Sequence, residues 1–203
     1  MKKKITALCL CIAMVAIAIV GASLAYFTDT KTAANTFTLG NVKIALDEAD
    51  INGGESRVTS NSYTVMPGAE CPKDPIVHNT GDNSAYIRGK VTVADWTAEL
   101  AKYFPDYQGE LKDSLILLVK SLNTGWTVES ADTAANGDVT FVLKYADVLA
   151  KGASTPAMFN TVTIPTAIKN GDDFGAITVV AEAIQSDSFS SWDKAFEAYD
   201  AQQ

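Results

Sequence analysis

The sequence is poor in the residues that most often carry chemistry. It holds one histidine, His78, and three cysteines in 203 residues, and its only run of bases is Lys2-Lys3-Lys4. With one histidine there is no H-E-x-x-H helix, so the commonest metalloprotease arrangement is excluded, and any Ser-His or Cys-His site would have to use His78. Neither G-x-x-x-x-G-K-[ST] nor G-x-G-x-x-G occurs, so no phosphate-cradling loop is recognisable. Acids outnumber bases, giving a net charge of −8. A chain of that sign is repelled by nucleic acid and by anionic lipid. No catalytic residue, metal-ligand set or cofactor motif emerges. Asp47-Glu48-Asp50, Asp82-Asn83 and Asp172-Asp173 are rich in oxygen ligands, but none has EF-hand spacing, and they read as turn chemistry.

The most informative stretch comes first. Lys2 to Lys4 form a positive region and Ile5 to Val20 an apolar one. Ser23-Leu24-Ala25 followed by Tyr26 has the small residues of a signal-peptidase site. This predicts a signal peptide over residues 1–25, cleaved before Tyr26. The rival is a retained anchor, since Ile5 to Phe27 carries no charge and could span a bilayer. Against it, no basic stop-transfer cluster follows. The membrane would then be met only through the uncleaved signal. Cys9 and Cys11 lie inside the apolar region and leave with it, so Cys71 has no partner for an intramolecular disulfide, although an oxidising compartment would allow one. Cleavage removes three lysines and no acid, which takes the charge from −8 to −11.

Residues 26–35, YFTDTKTAAN, are short and polar and predict a mobile segment. Residues 36–203 predict one β-rich domain. Phe37, Leu39, Val42, Ile44 and Leu46 alternate as one strand with a bulge at Gly40. Ser62 to Met66 reads as a short strand. Lys73 to Gly81 and Ala85 to Asp95 read as a β-hairpin; in the second, Ala85, Ile87, Gly89, Val91 and Val93 share a face. Thr97 to Phe104 predicts a helix stopped by Pro105, and Glu110 to Leu122 another. Gly125 to Glu129 and Val139 to Tyr145 pair across Asn136-Gly137-Asp138. Ala157 to Pro165 and Phe174 to Gln185 complete the strands. Trp192, Phe196 and Tyr199 have helical spacing, with Asp187, Ser188 or Ser190 as the cap. Together these predict a mainly β, two-sheet, jelly-roll-like sandwich with short helical excursions.

Three stretches resemble the TasA/camelysin family of secreted proteins from Gram-positive bacteria. The first is Ala25-Tyr26-Phe27-Thr28-Asp29-Thr30 leading to Asn35-Thr36-Phe37-Thr38-Leu39-Gly40-Asn41-Val42. The second is Met66-Pro67-Gly68, Lys73-Asp74-Pro75, Asn79-Thr80-Gly81 and Ala85-Tyr86-Ile87-Arg88. The third is Thr155-Pro156-Ala157-Met158-Phe159, Thr163-Ile164-Pro165 and Ala181-Glu182-Ala183-Ile184-Gln185. The resemblance implies a jelly-roll sandwich, cleavage by a SipW-type signal peptidase, and subunits of extracellular biofilm matrix fibres. It also implies head-to-tail self-assembly, with Tyr26, Phe27, Thr28, Asp29 and Thr30 donated as a strand to the next subunit and Phe27 as the anchor. Other matrix proteins are possible partners. A monomeric surface adhesin is the alternative, and a secreted metal-dependent protease, as some members have been called, is less favoured because the zinc motif is missing.

Overall fold

The computed structural model describes residues 28–32, 35–38, 42–63, 66–169 and 174–202. The expected leader and cleavage site, with Tyr26 and Phe27, lie outside them. The described chain is mainly β, with antiparallel sheets and three short helices, and no sheet closes into a barrel. No helix among the described residues is long and apolar enough to cross a membrane.

Ten strands form. They are β1 (Thr28–Thr32), β2 (Asn35–Thr38), β3 (Ile44–Asp47), β4 (Glu70–Pro72), β5 (Ile76–Asn79), β6 (Ala85–Val93), β7 (Trp126–Thr133), β8 (Val139–Tyr145), β9 (Thr161–Thr163) and β10 (Ile177–Gln185). Six make one large sheet in the order β2-β1-β10-β6-β8-β7, while β3 pairs with β5 and β4 with β9. The two small sheets are parts of one layer. Residues 70–79 run antiparallel to residues 153–163 along their whole length. The ladder passes from Glu70 opposite Thr163, through Lys73 N–H to the Asn160 carbonyl and Met158 N–H to the Pro75 carbonyl, to Asn79 N–H on the Ala153 carbonyl. The second layer is therefore three chain segments wide, with β3 on its other side.

Alternation builds the core between the layers. Ala85, Ile87, Val91 and Val93 of β6 are fully buried, as are Val139, Phe141 and Leu143 of β8. They meet Val42, Ile44, Val77, Met158, Phe159 and Val162 from the other layer in one cluster. Gly89 continues the inner face of β6. A Cβ there would come within 2.8 Å of Met158 Cε, so glycine is what allows Met158 to lie against the strand.

The strand alternation is legible, but several pairings differ from those the sequence suggests. β5 and β6 do not form a hairpin; β5 joins the second layer, and β6 pairs with β10 and β8. Buried Asn79 shapes the crossing. Its amide donates to the Asn83 and Leu149 carbonyls and its carbonyl accepts from Gly81 N–H, which turns the chain between layers. The stretch expected as one strand over 36–46 is split, β2 lying in the large sheet and β3 in the other layer. Ser62, Tyr63 and Met66 are not in a strand, and β4 forms further along. Within 157–165 only Thr161–Thr163 is regular strand.

The helices follow the same logic. Helix α1 (Trp96–Tyr103) buries Trp96 completely, and its indole N–H donates to Ser114 Oγ at 2.8 Å. Where a helix over 110–122 was expected, a 3-10 stretch, Leu111–Leu115, leads into a single α turn, α2 (Ile116–Val119). Ser114 Oγ donates back to the Leu111 carbonyl at 2.7 Å, and Lys120 enters the left-handed region at φ 60° and ends the turn. Helix α3 (Trp192–Asp200) lies on the outer face of the large sheet. It is capped by Ser191, whose Oγ accepts from Lys194 N–H, rather than by the residues expected.

Under α3 sits the most buried charge in the fold. Arg88 and Glu182 are directly opposite on β6 and β10, each 4% exposed. Arg88 Nε donates to Glu182 at 2.5 Å, and its two terminal nitrogens reach both Asp200 oxygens at 2.7 Å. Lys90 takes the second Glu182 oxygen at 2.7 Å. The guanidinium lies 4.3 Å above the Phe196 ring. Burial alone would lower the Arg88 pKa, but its carboxylate partners outweigh burial and raise it.

Two outcomes are expected. Arg88→Met leaves Glu182 buried with Lys90 alone, and should lower unfolding stability by roughly 3 kcal/mol in denaturant titration. The Arg88 hydrogen bonds hold the Asp200 carboxyl below the usual carboxylate range, against a smaller opposing effect of burial. A depressed folded-state pKa means that its contribution is intact above the unfolded value near 3.9 and is lost as pH falls through the depressed one. Fluorescence of Trp192 should therefore report loosening of α3 on acidification below about pH 3.9, and Asp200→Asn should remove that part of the pH dependence.

Candidate functional site

Strand β10 owes its central place to its sequence, ITVVAEAIQ. Val179, Ala181 and Ala183 are buried on the inner face, while Glu182 and Ile184 are buried beneath α3 on the outer one. A strand covered on both faces is fixed in register, because a one-residue slip would move Glu182 into the core. All nine residues pair with β6, from Ile177 opposite Val93 to Gln185 opposite Ala85.

The other edge of β10 is covered in part. β1 pairs from Thr28 opposite Ile184 to Thr32 opposite Val180, and β2 folds back on β1 from Asn35 opposite Thr32 to Thr38 opposite Asp29. Thr28, Asp29 and Thr30 of the expected donor segment thus lie on β10 of their own chain. Tyr26 and Phe27 lie outside the described residues, as do Ser23, Leu24 and Ala25. β1 stops at Val180, and Ile177, Thr178 and Val179 line a cavity of about 160 Å³ with Leu46, Pro75 and the Thr59–Asn61 segment. A second cavity of about 250 Å³ shares Asn61, Lys73 and Ile177 with it, and adds Tyr63, Cys71, Val162, Ile164 and Phe174. Together they make a groove beside the end of β10, with apolar walls and the Lys73 ammonium.

A strap over residues 48–63 forms one wall of that groove. Glu48 and Val58 exchange two main-chain hydrogen bonds, and Arg57 ties the strap down. Its guanidinium donates to Asp47 Oδ1 at 2.5 Å, to Asp74 Oδ2 at 2.9 Å, and to the carbonyls of both residues. Burial opposes its charge, but the two carboxylates prevail and raise the Arg57 pKa. Lys73 pairs with Glu48 at 2.8 Å, largely out of solvent. Burial, helped by the Glu48 and Cys71 charges, pushes the Tyr63 phenol up to about 12. Its hydroxyl donates to the Pro72 carbonyl. Burial also raises the Cys71 thiol, the one cysteine among the described residues, which sits in β4.

His78 lies in β5, where Nδ1 meets Ser154 Oγ at 2.6 Å and Nε2 meets Asp47 Oδ1 at 3.0 Å. The sequence offered no reason to join these three, because Ser154 is 76 residues from His78. Of the acidic groups, Asp47, Glu48 and Asp74 are taken up by Arg57, His78 and Lys73, and Asp82 pairs with Lys151, which lowers its pKa. Asp172 and Asp173 lie outside the described residues.

Residues 1–88 match the family model described as camelysin metallo-endopeptidase. No curated protein and no solved structure matches the chain. The described residues do not fit the metal in that description. No group of three or more His, Cys, Asp or Glu among them could hold a metal ion, and both nitrogens of His78 are occupied by Ser154 and Asp47. The matched stretch runs through β1, the strap and β5 into β6, and over it the chain is similar to the camelysin family.

Proposed function

We propose that this chain is the subunit of an extracellular matrix fibre, secreted by a Gram-positive bacterium and assembled by strand donation. A SipW-type signal peptidase removes residues 1–25, and the two layers form a jelly-roll-like sandwich. Strand β1 then leaves its own β10 edge, and the segment that begins at Tyr26 is donated to that place on the next subunit. Phe27 anchors it, and other matrix proteins can join the same edge.

The observation that carries this reading is the place of β1. Its five residues, TDTKT, have little apolar surface to hold them, yet they lie along the edge of the strand on which the sheet is built. Main-chain hydrogen bonds supply the attachment, as in other strand-addition complexes. A strand that closes an edge in its own chain can close the same edge in a neighbour. Such a contact is head-to-tail and does not close on itself, so it propagates as a filament. The far edge of the sheet is guarded. β7 carries exposed Glu129 and Asp132 and an irregularity between Val128 and Ser130, devices that discourage edge pairing. Growth is thereby directed to the β10 side.

The test is negative-stain microscopy with size exclusion on residues 26–203, beside a chain starting at Asn35. Filaments from the first and folded monomers from the second are expected. Monomers from both would overturn the reading in favour of a monomeric surface adhesin. A point variant should behave like the truncation. Thr30→Pro removes a ladder donor from the middle of β1, so it should abolish filaments and speed hydrogen exchange at Val180 to Ile184, with the melting transition of the core kept.

A further inference from the structure

The solvent face of the second layer carries an arrangement independent of the β10 edge. Asp47 ends β3, His78 lies in β5, and Ser154 is the residue directly opposite His78 on the next segment. Three neighbouring segments thus set a carboxylate, an imidazole and a hydroxyl in a row. The separations are 3.0 Å from Asp47 Oδ1 to His78 Nε2 and 2.6 Å from His78 Nδ1 to Ser154 Oγ.

With the imidazole neutral, one tautomer satisfies both contacts. A carboxylate can only accept, so Nε2 carries the hydrogen, and Nδ1 is left to accept from the Ser154 hydroxyl. Asp47 is held in turn by Arg57 Nε at 2.5 Å, which fixes the carboxylate that orients the ring. Ser154 itself is exposed. Its main chain is also placed to help. Asn79 N–H binds the Ala153 carbonyl and Thr155 N–H binds the Val77 carbonyl, so the Ser154 pair lies between these bonds. In an antiparallel ladder the N–H of such a residue points away from its partner strand. The Ser154 amide therefore faces the open side of the segment, where it can donate to an oxyanion formed at its own side chain.

We propose that Ser154 is an activated nucleophile, with His78 as its general base and Asp47 as the residue that orients the base, and that it transfers acyl groups from small esters met at the open surface. The ring is used with its nitrogens exchanged relative to serine proteases, but the roles are the same. Ser154 Oγ attacks the ester carbonyl and gives its proton to His78 Nδ1. The ester C–O bond breaks, and the leaving alcohol takes that proton. Water then attacks the acyl-serine and gives a proton to Nδ1. That proton passes to Ser154 Oγ as the carboxylic acid leaves. No oxidant, metal or cofactor enters the balance. An exposed sheet face suits a small ester better than an extended chain held in a cleft.

The full chain is treated with a biotinylated fluorophosphonate and mapped by peptide mass spectrometry, with p-nitrophenyl acetate turnover read in parallel. Labelling at Ser154 is expected, lost in Ser154→Ala and in His78→Gln. Turnover in Ser154→Ala should fall at least about a hundredfold, the low side of what a positioned base contributes. Ser154 is exposed, so the variant should melt as the parent does, and it should leave fibre growth untouched. Parent labelling no greater than that of Ser154→Ala would overturn the proposal, as would full labelling in His78→Gln, which would reduce the contacts to cross-strand hydrogen bonds.

Discussion

The nine-residue ladder between β6 and β10 is the interaction on which the other elements are built. Its inner face supplies much of the core. Its outer face carries Arg88 and Glu182 opposite each other, and its free side receives β1. Burying an ion pair is costly unless its remaining valences are met. Here Lys90, Asp200 and the Phe196 ring meet them, and each comes from a different position around the pair. Helix α3 is therefore more than a cover for Tyr86, Val142 and Ile184, because its last residue completes the charge balance beneath it.

The same ladder sets the edge on which β1 lies. β10 is locked in register by contacts on both faces, so its edge is a rigid template. The strand on that edge, TDTKT, is polar in sequence and pairs with β10 through its main chain. Arg57 holds the strap beside the uncovered end of β10 with charge rather than packing. An acidic chain that places Arg57 and Lys73 there keeps its remaining excess negative charge for the surface. An excess of one sign favours solubility through mutual repulsion.

The site was legible in unequal parts. The polar N-terminal segment and the strongly alternating Ala85 to Val93 stood out, because a period of two sustained over nine residues matches a strand and not a helix. Ser114 as the partner of Trp96, Asn79 as the shaper of a crossing, and Ser154 as the neighbour of His78 left no local signal. Each acts on a residue brought near by folding, and a lone serine or asparagine in a sequence reads as turn chemistry.

By itself the sequence determined that the chain is β-rich, acidic and without a zinc-protease helix, and where most strands and the last helix fall. These follow from composition and from periodicity within a few residues. Only the tertiary structure decided partners. It divided residues 35–47 between two layers, sent β5 away from β6, joined residues 70–79 to 153–163 and laid β1 along β10. Alternation tells a strand that it has an inside face. Which strand lies beside it depends on how all the apolar faces close over one core, and that is a property of the whole chain.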